Sequence, residues 1–377
     1  MSEDYMTSRE RVLTAVSLKE PDRVPINFSS IANAPPYGYK KLCEYLGITD
    51  CPEPTSDHVD QDIDDRFLKK LHVDIVRIKA GLRATEALPH GIERDVWGVK
   101  YKMGATYPFP VVYPLREAKT INEIDEYPCW PESKDPELTK GLRKKAKEIR
   151  EKTDYAICGH PGPGLNIFNT YATLRGFDLW LIDMKRRPDF YKALADKITE
   201  IDLEICREVY NEIGDYIDIA LYYDDLAGQD ATFMSVEDYR KFVKPYQAKY
   251  IHEVKKMAKA KIMLHSDGSI YTLMNDLIEI GADVIDSIQP RARDMEPERL
   301  KREFGNRVCF HSGIDRQRLM IFGTVEEISE EIKGVIRALA PGGGYVFSLD
   351  HIHPETPPDR VYVAHETAYK FGKYPIK

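Results

Sequence analysis

An α/β fold, a single (β/α)8 TIM barrel over residues 1–377 with N-terminal helices and an inserted hairpin and loop region around residues 90–131, is what the sequence predicts. Three observations predict it. From Tyr155 onward short apolar runs alternate with long helical patterns, which implies parallel βαβ units. Two further apolar runs in the N-terminal part bring the candidate strands to eight, the number that closes a barrel. No linker composition, internal repeat or low-complexity tract divides the chain, and 377 residues suit one large barrel.

In chain order, the candidate strands are residues 24–28, 74–78, 155–158, 217–222, 262–264, 283–287, 308–310 and 345–348, each a short apolar run. Residues 90–131 differ: they are rich in proline and aromatics (Trp97, Tyr101, Tyr107, Phe109, Tyr113, Trp130) and read as an insertion into the barrel. The clearest helix starts at Ser235, with Val236, Tyr239, Phe242, Val243, Tyr246, Tyr250 and Val254 on one stripe. Ser235 is its expected N-cap, and Glu237 and Asp238 form an acidic first turn. Thr324, followed by Glu326 and Glu327, starts another helix in the same way.

Composition excludes some classes. Hydrophobic residues at 42% and charged residues at 31% are ordinary for a globular protein with a substantial core. The net charge of -8, from 54 Lys+Arg against 62 Asp+Glu, argues against a nucleic-acid binder that relies on a basic field. Residues 1–10 are polar without an apolar signal core, and no stretch approaches the roughly 18 apolar residues of a membrane span, so a cytoplasmic protein without membrane contact is expected. The six cysteines are scattered and are expected to be reduced, buried thiols.

Working residues of a barrel lie just beyond the C-terminal ends of its strands. After the candidate strands come Ser29, Ser30 and Asn33; Gly159-His160-Pro161-Gly162; Tyr223-Asp224-Asp225 with Gln229; His265-Ser266-Asp267-Gly268; Gln289; His311-Ser312-Gly313; and Asp350-His351-Ile352-His353. Polar and titratable groups therefore converge on one rim. His265 and Asp267, two apart, share a face if the pleat continues. With Asp350, or with His351 or His353 in its place, they would offer three N/O ligands to a divalent ion and leave a fourth position open. The structural alternative is that a backbone carbonyl orients His265 and Asp267 caps the next helix. Adjacent Asp224 and Asp225 either bind a cation or raise one another's pKa, making one a general acid; alternatively, one is a cap and the other solvated. Residues 159–164 lack phosphate-loop spacing, and Gly342-Gly343-Gly344 precedes its strand, so both read as turns.

These residues resemble a family. Ser8-Arg9-Glu10-Arg11-Val12-Leu13 with Glu20-Pro21-Asp22-Arg23-Val24-Pro25 is similar to the N-terminus of the uroporphyrinogen decarboxylase superfamily. Asp224-Asp225-Leu226 with Gln229, His265-Ser266-Asp267-Gly268, His311-Ser312-Gly313-Ile314-Asp315, and the stretch from Ala340-Pro341-Gly342 to Pro354-Glu355-Thr356-Pro357-Pro358 extend the match along nearly the whole chain. The resemblance implies one (β/α)8 barrel and two activities: decarboxylation without a cofactor, or methyl transfer to or from a corrinoid with zinc activating the methyl acceptor or donor. True decarboxylases carry an arginine-rich element after the first strand, whereas residues 27–34 here hold no Arg or Lys, which would leave a polyanionic substrate unpaired. Thiol-activating methyltransferases carry His-x-Cys-Gly and a later Cys; here the matching positions are His265, Asp267 and Asp350, with carboxylates in place of thiolates.

A metal-dependent methyltransferase that moves a methyl group between a small methylated compound, such as a methoxylated aromatic, and a corrinoid (cobalamin) is therefore expected. His265, Asp267 and Asp350 are the expected ligands of a divalent metal, zinc first among the candidates. His265 with Asp224 or Asp225 is expected to do the proton chemistry, and Tyr223, Gln229, His160, Asn33 and His311 to bind substrate. The corrinoid would arrive on a separate partner protein, and a homodimer is an open assembly. A carboxy-lyase working without metal is the alternative, and a binding protein on the same scaffold is a third class.

Overall fold

The structure is a computed structural model. It describes residues 4–28, 36–51, 63–80, 86–104, 108–162, 166–353 and 355–376, with positions 36–38 and 103 described by backbone alone. In chain order the strands are β1 (Ile75–Lys79), β2 (Glu86–Leu88), β3 (Ile92–Arg94), β4 (Lys100–Met103), β5 (Pro108–Val112), β6 (Ala156–His160), β7 (Ile219–Tyr223), β8 (Lys261–His265), β9 (Val284–Ile288), β10 (Cys309–Ser312) and β11 (Tyr345–Val346). Seven of them form one curled parallel sheet in the order β1-β6-β7-β8-β9-β10-β11, with helices between them.

The eighth expected strand, residues 24–28, is not a regular strand. Ile26 makes a single parallel bridge with Phe347. Around it the Asn27 N–H donates to Phe347 O (2.8 Å), Phe347 N–H to Pro25 O (2.9 Å) and Asp74 N–H to Ile26 O (2.7 Å). Pro25 has no N–H to offer a ladder, so pairing is interrupted. The segment nonetheless touches both edges of the sheet, next to β11 on one side and to the start of β1 on the other.

Strand pleating separates two cores. Ile75, Ala156, Ile219, Met263, Val284, Cys309 and Val346, one from each strand, meet Val12 and Val16 of the Ser8–Val16 helix in an inner cluster. The alternate residues, among them Ile78, Ile157, Tyr222, Leu264, Ile285 and Phe310, pack outward against the helices. Each fully buried aliphatic side chain contributes about 1.5–3 kcal/mol of transfer free energy, so these two layers carry most of the stability.

The Ser8–Val16 helix seals the lower end of the sheet and is latched there by buried charges. Arg11 donates to Asp22 (2.6 Å) and Asp74 (2.7 Å), and Arg23 donates to Asp74 (2.7 Å). Arg11, Asp22 and Arg23 belong to the two N-terminal motifs that carry the resemblance, so those motifs are structural.

The insertion is a four-stranded antiparallel sheet, β2-β3-β4-β5, in place of a simple hairpin. Trp97 is buried and meets Trp130 edge-on, with ring centroids 6.1 Å apart. Tyr107 lies outside the described residues. Ser235 and Thr324 cap their helices as expected, accepting from Asp238 N and Glu327 N respectively. The expectation of six reduced thiols needs a correction: Cys43 and Cys51 form a disulfide. The chain reverses after the Pro36–Tyr45 helix, with Ile48 N–H donating to Cys43 O (2.9 Å), and this brings Cys51 back to Cys43. Cys129, Cys158, Cys206 and Cys309 are not disulfide-bonded. No helix among the described residues is long and apolar enough to cross a membrane.

Candidate active site

The pleat that builds the inner core also builds the site above it. Continuing the inner positions toward the C-terminal ends of the strands leads from Ile75 to Arg77 and Lys79, from Ala156 to His160, from Ile219 to Tyr223, from Met263 to His265 and from Val284 to Asp286. Register places these side by side: Lys79 beside His160, Tyr223 beside His265, and His265 beside Asp286. His160 and Tyr223 stack, with centroids 5.5 Å apart.

Asp286, completely buried, joins two imidazoles. One carboxylate oxygen lies 2.6 Å from His265 Nδ1 and the other 2.6 Å from His311 Nδ1. His311 Nε2 faces the Asn27 amide nitrogen at 3.1 Å, so with Asn27 donating there His311 carries its proton on Nδ1, toward Asp286. Burial opposes ionisation of Asp286, but His311 and His265 outweigh it and hold the carboxyl below its usual range. For His265 burial disfavours the charged form, yet Asp286, then Asp267 and Asp350, raise its pKa to about 10.

With Nδ1 held by Asp286, His265 turns Nε2 toward the mouth. Asp267 Oδ1 is 3.6 Å from Nε2 and Asp225 Oδ1 is 3.9 Å away. Asp225 is fixed by accepting from Asp267 N–H (3.0 Å). Asp267 Oδ1 is buried without a hydrogen-bond partner among the described residues, and burial pushes this carboxyl's pKa up. Gly268 (φ +85°) permits the arrangement: a Cβ there would lie 2.5 Å from Gly228 O and 2.6 Å from Ala227 O, so the loops after β7 and β8 touch through backbone.

Asp350 is fully buried and pairs with Arg316. The same guanidinium donates to Asp267 Oδ2 (2.7 Å) and to His351 Nδ1 (2.6 Å). Burial disfavours the Asp350 carboxylate, but Arg316 and His351 hold it well below the usual range. Two groupings of three candidate metal donors result among the described residues: Asp225, His265 and Asp267, and His265, Asp286 and Asp350. His265, Asp267 and Asp350 thus fall in one cluster, with Arg316 between the two carboxylates. His353 belongs to neither grouping and lies 4.0 Å from Glu355.

Asp224 is placed apart from Asp225. Its side chain follows Tyr222 to the outer face, where it accepts from Phe168 N (3.0 Å), Asn169 N (3.1 Å), Tyr222 OH (2.7 Å) and Gln247 Nε2 (3.2 Å). It thereby satisfies the first turn of the Ile167–Arg175 helix, and burial, though opposed by these donors, raises its pKa to about 7. Gln229 sits outside the cluster and bonds Gln289 (2.6 Å), which also accepts from Gly268 N. Asn33 lies outside the described residues. Asp286, Arg316, Arg77 and Lys79 were not among the expected site residues. Asp286 had a signal, a carboxylate at an inward position of a buried strand; Arg316 follows the Asp315 that ends a quoted motif and has no periodic signal of its own.

The fold and site define an α/β protein with an imidazole and carboxylate centre at the C-terminal ends of a curled parallel sheet. The family model for uroporphyrinogen decarboxylase (URO-D) matches residues 66–371, and the chain belongs to that family of enzymes. It is similar to the uroporphyrinogen decarboxylase of Bacillus cereus (strain B4264), 25% identical over 369 residues covering 94% of each protein. Against that of Chlorobaculum tepidum it is 23% identical over 295 residues, 76% of this chain and 78% of the relative. Among solved structures it shares its fold with a methyltransferase from Methanosarcina mazei, at 18% identity and a TM-score of 0.67, covering 97% of this chain and 99% of that one.

Proposed function

We propose that the protein is a metal-dependent methyltransferase that moves a methyl group between a small methylated compound, with methoxylated aromatics the first candidates, and a corrinoid on a partner protein. The observation that carries the metal is the pairing of His265 Nε2 with Asp267 Oδ1, 3.6 Å apart, the latter a buried oxygen with no hydrogen-bond donor among the described residues. An orphaned carboxylate oxygen in that position fits a cation. Asp225 supplies the third donor, and Asp350, through Arg316, holds Asp267 in place.

A divalent ion bound there would act as a Lewis acid on an ether or phenolic oxygen. The chain's own groups do the rest. Asp286 fixes the tautomer and direction of His265, as an outer carboxylate does for a metal-ligating imidazole. Tyr223 stacked on His160 offers a flat wall for a ring. We read the sheet, with the 25–27 segment between its edges, as a barrel of eight positions.

One observation favours a second reading, a carboxy-lyase without metal. Arg316 already neutralises Asp267 and Asp350, and His265 holds a proton at neutral pH without any ion. Elemental analysis of the purified protein, with a screen for methylation of cob(I)alamin by methoxylated aromatics, separates the two. Bound zinc with methyl transfer supports the first reading. A metal-free protein that releases CO2 from an acid substrate and methylates nothing overturns it.

A further inference from the structure

Behind His265 lies a second imidazole, that of His311. It is completely buried, and both ring nitrogens are engaged inside the protein: Nδ1 lies 2.6 Å from Asp286 Oδ1 and Nε2 lies 3.1 Å from the Asn27 amide nitrogen. Asp286 turns its other oxygen to His265 Nδ1, also at 2.6 Å. Asn27, His311, Asp286 and His265 thus form one hydrogen-bonded chain, every member buried, that ends on the imidazole at the mouth. The backbone is shaped to it. Between the pair Phe310 with Ile285 and the pair Ser312 with Ile288, β9 sets two residues, Asp286 and Ser287, against the single His311 of β10. A bulge of this kind re-aims side chains, and bulges are over-represented next to active sites.

We propose that His311 and Asn27 are positioning residues: Asn27 keeps the His311 proton on Nδ1, and the bond from that nitrogen holds the Asp286 carboxylate turned toward His265. The torsion that rotates an aspartate carboxylate is soft, so a donor on one oxygen alone leaves the group free to swing, whereas a donor on each oxygen fixes its plane. The anchor of the chain is the segment that touches both edges of the sheet: Asn27 N–H donates to Phe347 O (2.8 Å), and Asp74 N–H donates to the neighbouring Ile26 O (2.7 Å). The direction of His265 is thereby tied to the place where β11 and β1 approach each other. His311, with neither nitrogen turned to the mouth, acts through Asp286 in place of touching a substrate.

The zinc measurement below rests on the metal-dependent reading; the positioning itself does not. Proton NMR of the full-length protein without added metal, its histidines labelled with heavy nitrogen, is the primary test. Imidazole protons in short bonds to a carboxylate resonate far downfield, so His265 and His311 should each give such a signal, and both signals should move in Asp286→Asn. Absence of the His311 signal overturns the proposal without any variant having to fold. His311→Asn sets an amide nitrogen near the place of Nδ1 and keeps a donor to Asp286, whereas His311→Gln sets it near the place of Nε2 and loses that donor. The His265 signal should therefore persist in His311→Asn and shift or vanish in His311→Gln, with zinc affinity lowered about tenfold in His311→Gln alone. Asn27→Leu should shift the signals of both rings. A merely structural His311 would leave the His265 signal unmoved in every variant that folds, and that result overturns the proposal. If the unsubstituted protein binds no zinc, the metal reading falls while the NMR signals still decide the positioning; tight zinc binding together with an unmoved His265 signal in His311→Gln does the reverse.

Discussion

Asp224 and Asp225 are adjacent in the chain and point to opposite faces of the sheet. Asp224 is wholly buried under four donors on the helix side, and Asp225, its side chain 41% exposed, stands 3.9 Å from His265. Substituting the two should therefore give opposite phenotypes. Asp224→Ala is expected to cost about 3 kcal/mol in urea unfolding, because it strands the donors at the start of the Ile167–Arg175 helix. Asp225→Ala is expected to leave stability within about 0.5 kcal/mol and to lower turnover by about a hundredfold. The reverse pattern would remove Asp225 from the site.

Asp286 holds both His265 and His311 at 2.6 Å. Asp286→Asn keeps the volume but loses the charge that fixes the His265 tautomer, so zinc affinity, measured by competition with a chelating dye, should fall about 10- to 100-fold. Unchanged affinity would mean that His265 needs no carboxylate behind it.

Arg316 occupies the space between Asp267 and Asp350. Arg316→Gln leaves two carboxylates facing each other and should destabilise the ion-free protein by about 3 kcal/mol. The same change should tighten zinc binding by about tenfold, equivalent to roughly 1.4 kcal/mol. If added zinc does not raise the melting temperature of the variant more than that of the parent, Arg316 does not compete with a metal for Asp267.

His365 is buried between Phe28 and Phe347, with its Nδ1 held by Leu71 O. Burial first, with His72 adding to it, lowers its pKa from 6.5 to about 4. The unfolded chain therefore binds this proton more readily than the folded one. Stability from the neutral ring is complete above pH 6.5 and declines as pH falls toward 4, by at most about 3 kcal/mol. Replacing His365 with Gln should flatten that part of the pH–stability curve; an unchanged slope between pH 6.5 and 4 would assign the acid sensitivity elsewhere.

Much of the scaffold was legible because buried parallel strands announce themselves as short apolar runs, and seven of the eight expected lie within a few residues of the observed ones. The eighth failed as a regular strand where Pro25 removes a donor. His265 and Asp267 were legible as a pair because a period of two is local information. Asp286 carried a signal as a carboxylate within a strand run, but its role depends on His311, 25 residues away. The separation of Asp224 from Asp225 follows from the same pleat, but only once the inner face of β7 is known. Arg316 lies on a loop, where spacing carries no periodic signal, and its partners Asp267 and Asp350 are 49 and 34 positions distant. The reversal that joins Cys43 to Cys51 is a loop property that scattered cysteines do not reveal.

The latched helix beneath the strands has a consequence for traffic. With Val12 and Val16 plugging the bottom and apolar layers above them, the described residues close the approach to His265 from below. On the proposed reaction, a small reactant and a bulky carrier could then not come in from opposite sides; they would queue at the same threshold or stand in it together. On that reading, a substitution on the described part of the rim would alter the sequence of arrival before it altered the chemistry.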